Sequence, residues 1–204
     1  MQNTSHAVMS QRKEPKDSPD DFPTPPWATR ALLKHIISDY DLKNSTCLEP
    51  ACGAGHMVRV LREEFADVKY SDAFHYGFGP VRDYLASPYE ANAVDWVVTN
   101  PPFRLAEEFV LKSFNVARQG VAILARTVFL ESAGRYNRIF SEFPPSRFAQ
   151  FVERVPMVKG RLDIKASTAT GYAWLIWEKN ATGEPKLMWV PPCRKALEKR
   201  ADYP

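Results

Sequence analysis

Four consecutive residues, Asn100-Pro101-Pro102-Phe103, carry the most specific chemistry in the sequence. The Asn100 side chain has a carbonyl acceptor, and Pro101 has a backbone carbonyl but no N–H of its own. Together they can accept both hydrogens of an NH2 group and aim its lone pair at an electrophile. Phe103 offers a flat ring on which a planar substrate can stack. These residues therefore predict catalysis at an exocyclic aromatic amine.

A glycine-containing turn indicates where the electrophile binds. Glu49 ends a short apolar segment and is followed by Pro-Ala51-Cys-Gly53-Ala-Gly55. Glycines at a strand-to-helix junction let the backbone approach a ligand closely, and the following helix start has unpaired N–H groups. The third glycine of the dinucleotide-binding fingerprint is absent, since Val58 stands there. A Gly-x-Gly turn on its own can also be an ordinary tight turn.

Asp72 adds weight to the ligand-binding interpretation of this turn. It follows the next predicted strand, 19 positions after Gly53. In nucleotide-binding sheets an acid at this place accepts hydrogen bonds from ribose hydroxyls. The pair favours an adenosine-containing ligand; a helix cap or a solvated loop acid is the alternative for Asp72 alone.

The elements that must position these residues alternate between helical and strand patterns. Hydrophobic periodicity predicts helices over 28–40, 56–65, 105–117 and 131–140, and strands over 46–49, 68–71, 93–99, 120–125, 148–152 and 172–177. Strands separated by helices predict an α/β fold with a mostly parallel sheet and helices on both faces. The last two strands have no strong helix between them and are expected to form an antiparallel edge. Ligands of open α/β sheets bind at the carboxyl ends of the strands, where Asn100 lies.

The length and composition fit one globular domain. The 204 residues, 45% of them hydrophobic, suffice for one core and are too few for two comfortable domains. We expect a disordered leader at 1–21, a catalytic domain at 22–180 and a basic C-terminal tail at 181–204. Three cysteines without metal-ligand spacing, and no apolar run suited to a signal peptide or a membrane span, predict a cytoplasmic protein with reduced thiols and no metal.

Charge is distributed unevenly along the chain. Residues 1–103 hold 10 Lys+Arg and 14 Asp+Glu, a net charge of −4, whereas residues 104–204 hold 17 and 10, a net charge of +7. The basic second half favours a polyanionic partner, although a solvated basic face has the same composition. Within 155–170, the residues Lys159, Arg161 and Lys165 are candidates for nucleic-acid phosphate contacts or for a lid over the target. An ordinary basic hairpin loop is the alternative.

From Phe22 to Glu178 the sequence resembles the amino methyltransferases whose signature is Asn/Asp-Pro-Pro-Tyr/Phe, above all the DNA adenine N6-methyltransferases. The segment Glu49 to His56 is similar to the cofactor motif of that family. The resemblance implies a class I methyltransferase fold with a Rossmann-like sheet, and S-adenosylmethionine as the cofactor.

The resemblance also implies roles for residues around the cofactor. Asp72 matches the acid that binds the ribose. Asp83 is similar to the acid that contacts the adenine, although Arg82 stands where the family usually has glycine. The segment before the first strand looks like the part that closes over the methionine moiety; its candidates are Thr24, Pro25 and Trp27.

Methyl transfer to the N6 amine of adenine in DNA is the function that this resemblance implies, with the base flipped out of the duplex and stacked on Phe103. No sizeable recognition domain is visible in the sequence, which predicts low specificity or a short site read by loops. Small enzymes of this kind resemble those carried by bacterial phages. Methyltransferases acting on RNA amines or on a protein glutamine share the signature, and they remain alternatives. A non-catalytic nucleic-acid-binding module of the same fold is an alternative of another class, which the intact motifs disfavour.

Overall fold

The computed structural model describes residues 20–203, so the predicted leader lies outside the described residues except for its last two positions. Seven strands form one sheet in this part of the chain. They are β1 (Thr46–Glu49), β2 (Asp67–Tyr70), β3 (Val94–Thr99), β4 (Ala117–Arg126), β5 (Arg147–Phe151), β6 (Tyr172–Glu178) and β7 (Lys186–Val190). Their order across the sheet is β2-β1-β3-β4-β6-β5-β7.

The helices between the strands are short. They are α1 (Pro26–Ala31), which continues as the π-helical turn Leu32–Ile36, then α2 (His56–Leu61), α3 (Ala106–Val116), α4 (Ala133–Arg135), which continues as the π-helical turn Tyr136–Phe140, and α5 (Arg194–Leu197). Pro26 occupies the first position of α1, where the missing N–H would have no intrahelical partner. Within residues 20–203 no helix has the length and apolar character to cross a membrane.

The strand directions confirm the predicted mostly parallel sheet. Strands β2, β1, β3 and β4 pair in parallel. Strand β6 runs antiparallel to both β4 and β5, and β7 pairs in parallel with β5. The predicted antiparallel pairing of β5 and β6 is therefore confirmed. The reversed strand lies inside the sheet, because β5 and β7 continue the sheet beyond it.

Helices cover both faces, and β3 shows how the two cores form. All six residues of β3 are buried, as expected for a strand in the middle of the sheet. Trp96 and Val98 join the core beneath α1 and α2, whereas Val97 joins the core beneath α3. This alternation follows from the two-residue period of a strand. Asn100 thus leaves the sheet at its centre, between the two helical layers.

Within residues 181–204, which we predicted to be a basic tail, the part that the structure describes contributes a strand to the sheet and then packs against α1. Strand β7 pairs with β5 along its whole length. Val190 and Leu197 are buried in the core beneath α1 and α2. Arg30 of α1 forms a salt bridge of 2.6 Å with Asp202. The basic composition suggested a tail, but the residues from Leu187 to Val190 are an apolar run between prolines, and the edge of β5 supplies their pairing partner.

Candidate active site

A cavity lies at the carboxyl ends of β1, β2 and β3. Its walls come from the segment before α1, the turn after β1, the segment after β2 and the end of β3. Seven residues of the predicted site line it: Thr24, Glu49, Ala51, Gly53, Asp72, Asn100 and Pro102. Parallel strands end at the same edge of a sheet, so residues far apart in sequence meet there.

Both glycines of the turn have left-handed backbone angles, but each has a different structural role. Gly53 has φ +48° and donates its N–H to Oδ2 of Asp72 at 2.9 Å. Gly55 has φ +82° and precedes α2 without lining the cavity. A Cβ atom on Gly55 would lie 2.4 Å from the ring of Phe78. Gly53 therefore links the turn by a hydrogen bond to Asp72, which follows β2. Gly55 leaves space for the ring of Phe78.

Asp72 is held in place by two backbone N–H groups. Gly53 donates to its Oδ2, and Phe74 donates to its Oδ1 at 2.9 Å. Burial raises the pKa of the carboxyl, and these hydrogen bonds oppose the rise. A carboxylate offers about four lone-pair directions. Asp72 can therefore accept further hydrogen bonds from a ligand in the cavity.

Glu49 is buried, with 1% of its surface exposed. Its Oε1 accepts hydrogen bonds from the N–H of Ala51 at 3.0 Å and from the hydroxyl of Thr99 at 2.5 Å. Burial raises the pKa of Glu49 to about 8, against the effect of both hydrogen bonds, and the charge of Asp72 adds to the rise. The carboxyl is therefore mostly protonated at neutral pH, and a cation in the cavity would favour its ionised form.

Two acids that we assigned to the leader belong to the site. Asp21 lines the cavity, and burial and the charge of Asp72 raise its pKa while Lys159 lowers it. Asp20 also lines the cavity, and its Oδ2 accepts the N–H of Phe103 at 2.7 Å. The sequence signal for them was weak, because their neighbours upstream are polar. With Glu49 and Asp72 they make the cavity acidic, which suits a cationic ligand.

The Asn100 side chain presents a free acceptor. Its Nδ2 donates to the carbonyl of Phe22 at 2.8 Å and lies 3.8 Å from the sulfur of Met157. These contacts set the orientation of the amide. Its Oδ1 is buried and has no hydrogen-bond partner within residues 20–203. The hydroxyl of Thr24 is likewise buried without a partner there. Since buried polar atoms are usually paired, both oxygens are available to accept a hydrogen bond from a ligand in the cavity.

Pro101 and Phe103 line a second, neighbouring cavity instead. The ring of Phe103 lies 5.3 Å from the ring of Phe22, measured between centroids. The guanidinium carbon of Arg126 lies 3.8 Å from the Phe103 centroid. The ring predicted to stack a substrate is therefore already in contact with a cation.

Besides Gly55, three other predicted cofactor-binding residues do not line the cavity. Trp27 is fully buried in the core, where it packs edge-on against Phe151. Pro25 precedes α1, and its carbonyl accepts the N–H of Ala28 at 2.9 Å. Asp83 lies elsewhere on the surface, with its Oδ1 accepting the N–H groups of the two residues that follow Tyr84. Trp27 thus packs in the core, Pro25 caps the start of α1, and Asp83 stabilises a surface turn.

Aromatic residues that the sequence analysis missed complete the cavity wall. Phe74 and Tyr76 follow Asp72 and line the cavity, and Phe74 is 48% exposed. Burial raises the pKa of Tyr76, and the nearby acids add to the rise. His56 lines the cavity from the first turn of α2, where burial lowers its pKa. Aromatic residues in loops carry no periodic signal in a single sequence. The one available signal was that Phe74 and Tyr76 follow Asp72 closely in the sequence.

The segment predicted to contact nucleic acid packs against residues of the site. Met157 contacts Asn100, and the N–H of Gly160 donates to the carbonyl of Asp21 at 2.9 Å. Lys159 acts electrostatically on Asp21. Two further cations of this segment, Arg161 and Lys165, are exposed. Among the described residues no group of His, Cys, Asp or Glu is arranged to hold a metal ion.

The sequence matches no protein-family model and no curated protein. Among solved structures, a candidate RNA methyltransferase from Pyrococcus horikoshii superposes with a TM-score of 0.59 at 18% identity, over 81% of this chain and 91% of that one. The modification subunit of a candidate type I restriction enzyme from Vibrio vulnificus gives 0.56 at 14% identity, over 89% and 50%. A candidate class I S-adenosylmethionine-dependent methyltransferase from Listeria monocytogenes gives 0.55 at 12% identity, over 79% and 62%. This chain thus spans half of the Vibrio protein and less than two thirds of the Listeria protein. At these identities the likeness establishes the fold, which is that of the class I methyltransferases.

Proposed function

We propose that this protein is an S-adenosylmethionine-dependent methyltransferase that acts on the N6 amine of adenine in DNA. The observation that carries the proposal is the unpaired, buried Oδ1 of Asn100. It lines the same cavity as the glycine turn and Asp72. An amine acceptor and a nucleoside-binding acid in one cavity support transfer from an adenosine cofactor to an amine.

The residues of the cavity fit this cofactor. When bound, S-adenosylmethionine supplies an electrophilic methyl group on a sulfonium cation. The acids Glu49, Asp72 and Asp21 favour a cation there, because each has its pKa raised by burial and would gain from a positive neighbour. Asp72 would hold the ribose, and the unpaired hydroxyl of Thr24 would hold a polar group of the methionine moiety.

Asn100 and Pro101 would position the amine and stabilise the charge that develops on it. An aromatic amine is a poor nucleophile because its lone pair is delocalised into the ring. Oδ1 of Asn100 and the carbonyl of Pro101 would each accept one amine hydrogen and so favour the pyramidal form. The hydrogen bond from Asn100 to the Phe22 carbonyl fixes the acceptor before the substrate arrives. Preorganised acceptors of this kind act without a strong general base.

Charge supports nucleic acid as the substrate. Residues 104–204 carry a net charge of +7, and the exposed cations Arg161 and Lys165 lie in the segment that packs against residues of the site. The side chain of Arg161 is 66% exposed, although Asp163 lies 3.4 Å away. Such cations can contact phosphates and position the strand without reading its bases.

The test is methyl transfer from labelled S-adenosylmethionine to duplex DNA, single-stranded DNA, RNA and a protein extract. Asn100→Ala should lower kcat by about a hundredfold to a thousandfold, as loss of one preorganised electrostatic contact does. Asn100→Asp is the matched variant, because it keeps an acceptor oxygen and loses the donor to Phe22. It should retain more activity than Asn100→Ala, and unchanged melting temperatures of both variants would exclude misfolding as the cause.

Each outcome separates the candidate functions. Label recovered from DNA as N6-methyladenine, and reduced in Asn100→Ala, would support the proposal. Label in RNA alone or in protein alone would refute DNA as the substrate. Cofactor binding without transfer to any of the four acceptors would refute catalysis and favour a non-catalytic binding module.

A further inference from the structure

The face of Phe103 is occupied by Arg126. The guanidinium carbon of Arg126 lies over the ring, 3.8 Å from its centroid, which is van der Waals contact. A planar base cannot lie on that face while the guanidinium remains there. The ring of Phe22 also contacts Phe103, with its plane tilted by 36°. A target base that stacks on this face of Phe103 therefore needs Arg126 to move first.

Arg126 has no acidic partner within the part of the chain that the structure describes. None of the salt bridges among residues 20–203 involves it. Its Nε is buried without a hydrogen-bond partner. Its guanidinium forms a side-chain hydrogen bond to the hydroxyl of Tyr172, which opposes the rise that burial causes in the pKa of that hydroxyl. A partly buried arginine is usually paired with a carboxylate or a phosphate, since its N–H groups match planar anions. Arg126 thus retains unused donors beside the ring.

The strand holds the backbone of Arg126 in place. Arg126 is the last residue of β4 and pairs with Tyr172 of β6. The N–H of Thr127, which follows it, donates to the carbonyl of Gly171 at 3.0 Å. A change of side-chain rotamer would take the guanidinium off Phe103 without any movement of the strand.

We propose that Arg126 exchanges the ring of Phe103 for a backbone phosphate next to the target nucleotide, and thereby admits the target base. This rests on the proposed function. A phosphate accepts charge-assisted, bidentate hydrogen bonds from a guanidinium. These are stronger than the interaction of the guanidinium with an aromatic ring. A free nucleoside has no phosphate to draw Arg126 away. Arg126 is therefore a specificity-determining residue that selects polynucleotides over free nucleosides.

The experiment compares methyl transfer to an adenine-containing duplex oligonucleotide with transfer to 2′-deoxyadenosine. Arg126→Ala should lower kcat/KM for the oligonucleotide by about tenfold or more, mainly through KM, as loss of one strong phosphate contact does. It should raise kcat/KM for 2′-deoxyadenosine, because the ring is then open. In oligonucleotide binding, the slope of log Kd against log salt should fall by about one.

Two further variants sharpen the test. Arg126→Lys keeps the charge and should keep the salt slope. Arg62→Ala is the matched control, because Arg62 also lies over an aromatic ring, at 4.9 Å from the centroid of Tyr70, but lines neither cavity at Asn100 and Phe103. It should change neither acceptor preference nor salt slope.

Equal losses of activity on both acceptors in Arg126→Ala would overturn the proposal, since Arg126 would then serve catalysis or the fold of the site. An unchanged salt slope would overturn it as well. The salt measurement needs no methyl transfer. If the unsubstituted protein methylates no adenine, the proposed function fails while the salt slope still decides the role of Arg126.

Discussion

Binding of S-adenosylmethionine should release a proton from Glu49 and should therefore strengthen as the pH rises. Glu49 is buried, and its pKa is about 8 without a ligand. A bound cation favours the ionised carboxylate, so the free protein must lose the proton first. The ligand-free fold responds in the opposite sense. Since the pKa is raised from an ordinary 4.5, the folded state holds this proton and loses stability as the pH rises from 4.5 to about 8.

The magnitude follows from the fraction of Glu49 that is ionised. With a pKa of about 8 that fraction is about 1% at pH 6 and about one half at pH 8. If the cation requires the ionised form, Kd should fall about fiftyfold between these two pH values, and binding at pH 7 should release about 0.9 proton. Asp21 and Asp72 also have raised pKa values and act in the same direction. His56 has a lowered pKa and titrates below its ordinary 6.5.

Titration calorimetry in two buffers of different protonation enthalpy measures both Kd and the protons released. Glu49→Gln is the control, because its amide oxygen can still accept the N–H of Ala51 while the charge is absent. This variant should bind more weakly, with a Kd that varies little from pH 6 to pH 8. Whatever variation it retains reports on Asp21, Asp72 and His56. A constant Kd and no proton release in the unsubstituted protein would refute the reasoning.

Two further predictions concern the framework of the site. Gly55→Ala should lower the melting temperature and weaken cofactor binding, because φ +82° costs a non-glycine residue about 1–2 kcal/mol and its Cβ would meet the ring of Phe78. Gly77→Ala, at φ +75° with open space around it, should show only the cost of the backbone strain. Equal losses of melting temperature in both variants would exclude a clash between Cβ of residue 55 and Phe78. Arg30→Ala should lower the free energy of unfolding by about 3 kcal/mol, because it leaves Asp202 with an unpaired, largely buried charge. Urea titration measures the free energy of unfolding. A loss below about 0.5 kcal/mol, typical of surface substitutions, would contradict this prediction.

Strands β1 and β7 mark what could and could not be predicted about the fold. The strand predicted at 46–49 has those bounds, because a short apolar run ended by a proline-glycine turn is a local signal. Strand β7 was missed, since its residues do not alternate between polar and apolar and the surrounding segment is basic. It is a strand because β5 offers an edge to pair with. The apolar run from Leu187 to Val190 is a local signal for a strand, but nothing in the local sequence says that its partner is β5.

The site divides in the same way. Asp72 and Asn100 could be predicted because each follows a recognisable strand, and open sheets gather ligands at strand ends. Asp21 and Arg126 could not. Asp21 sits in a polar stretch typical of leaders, and Arg126 is one of 27 lysines and arginines. Only the pairing of β3 with β4 and the chain path before α1 bring them to Asn100 and Phe103.

By itself the sequence determined the order of the elements and the polar residues at their ends, since hydrophobic period and strand-breaking residues act locally. The tertiary structure alone decided what those residues can do. The orientation of the Asn100 amide depends on the carbonyl of Phe22, which is 78 positions away. The raised pKa of Glu49 depends on burial beneath several segments, and the access to Phe103 depends on Arg126. Each is a long-range contact, whose energy depends on distances and desolvation that a local pattern does not encode.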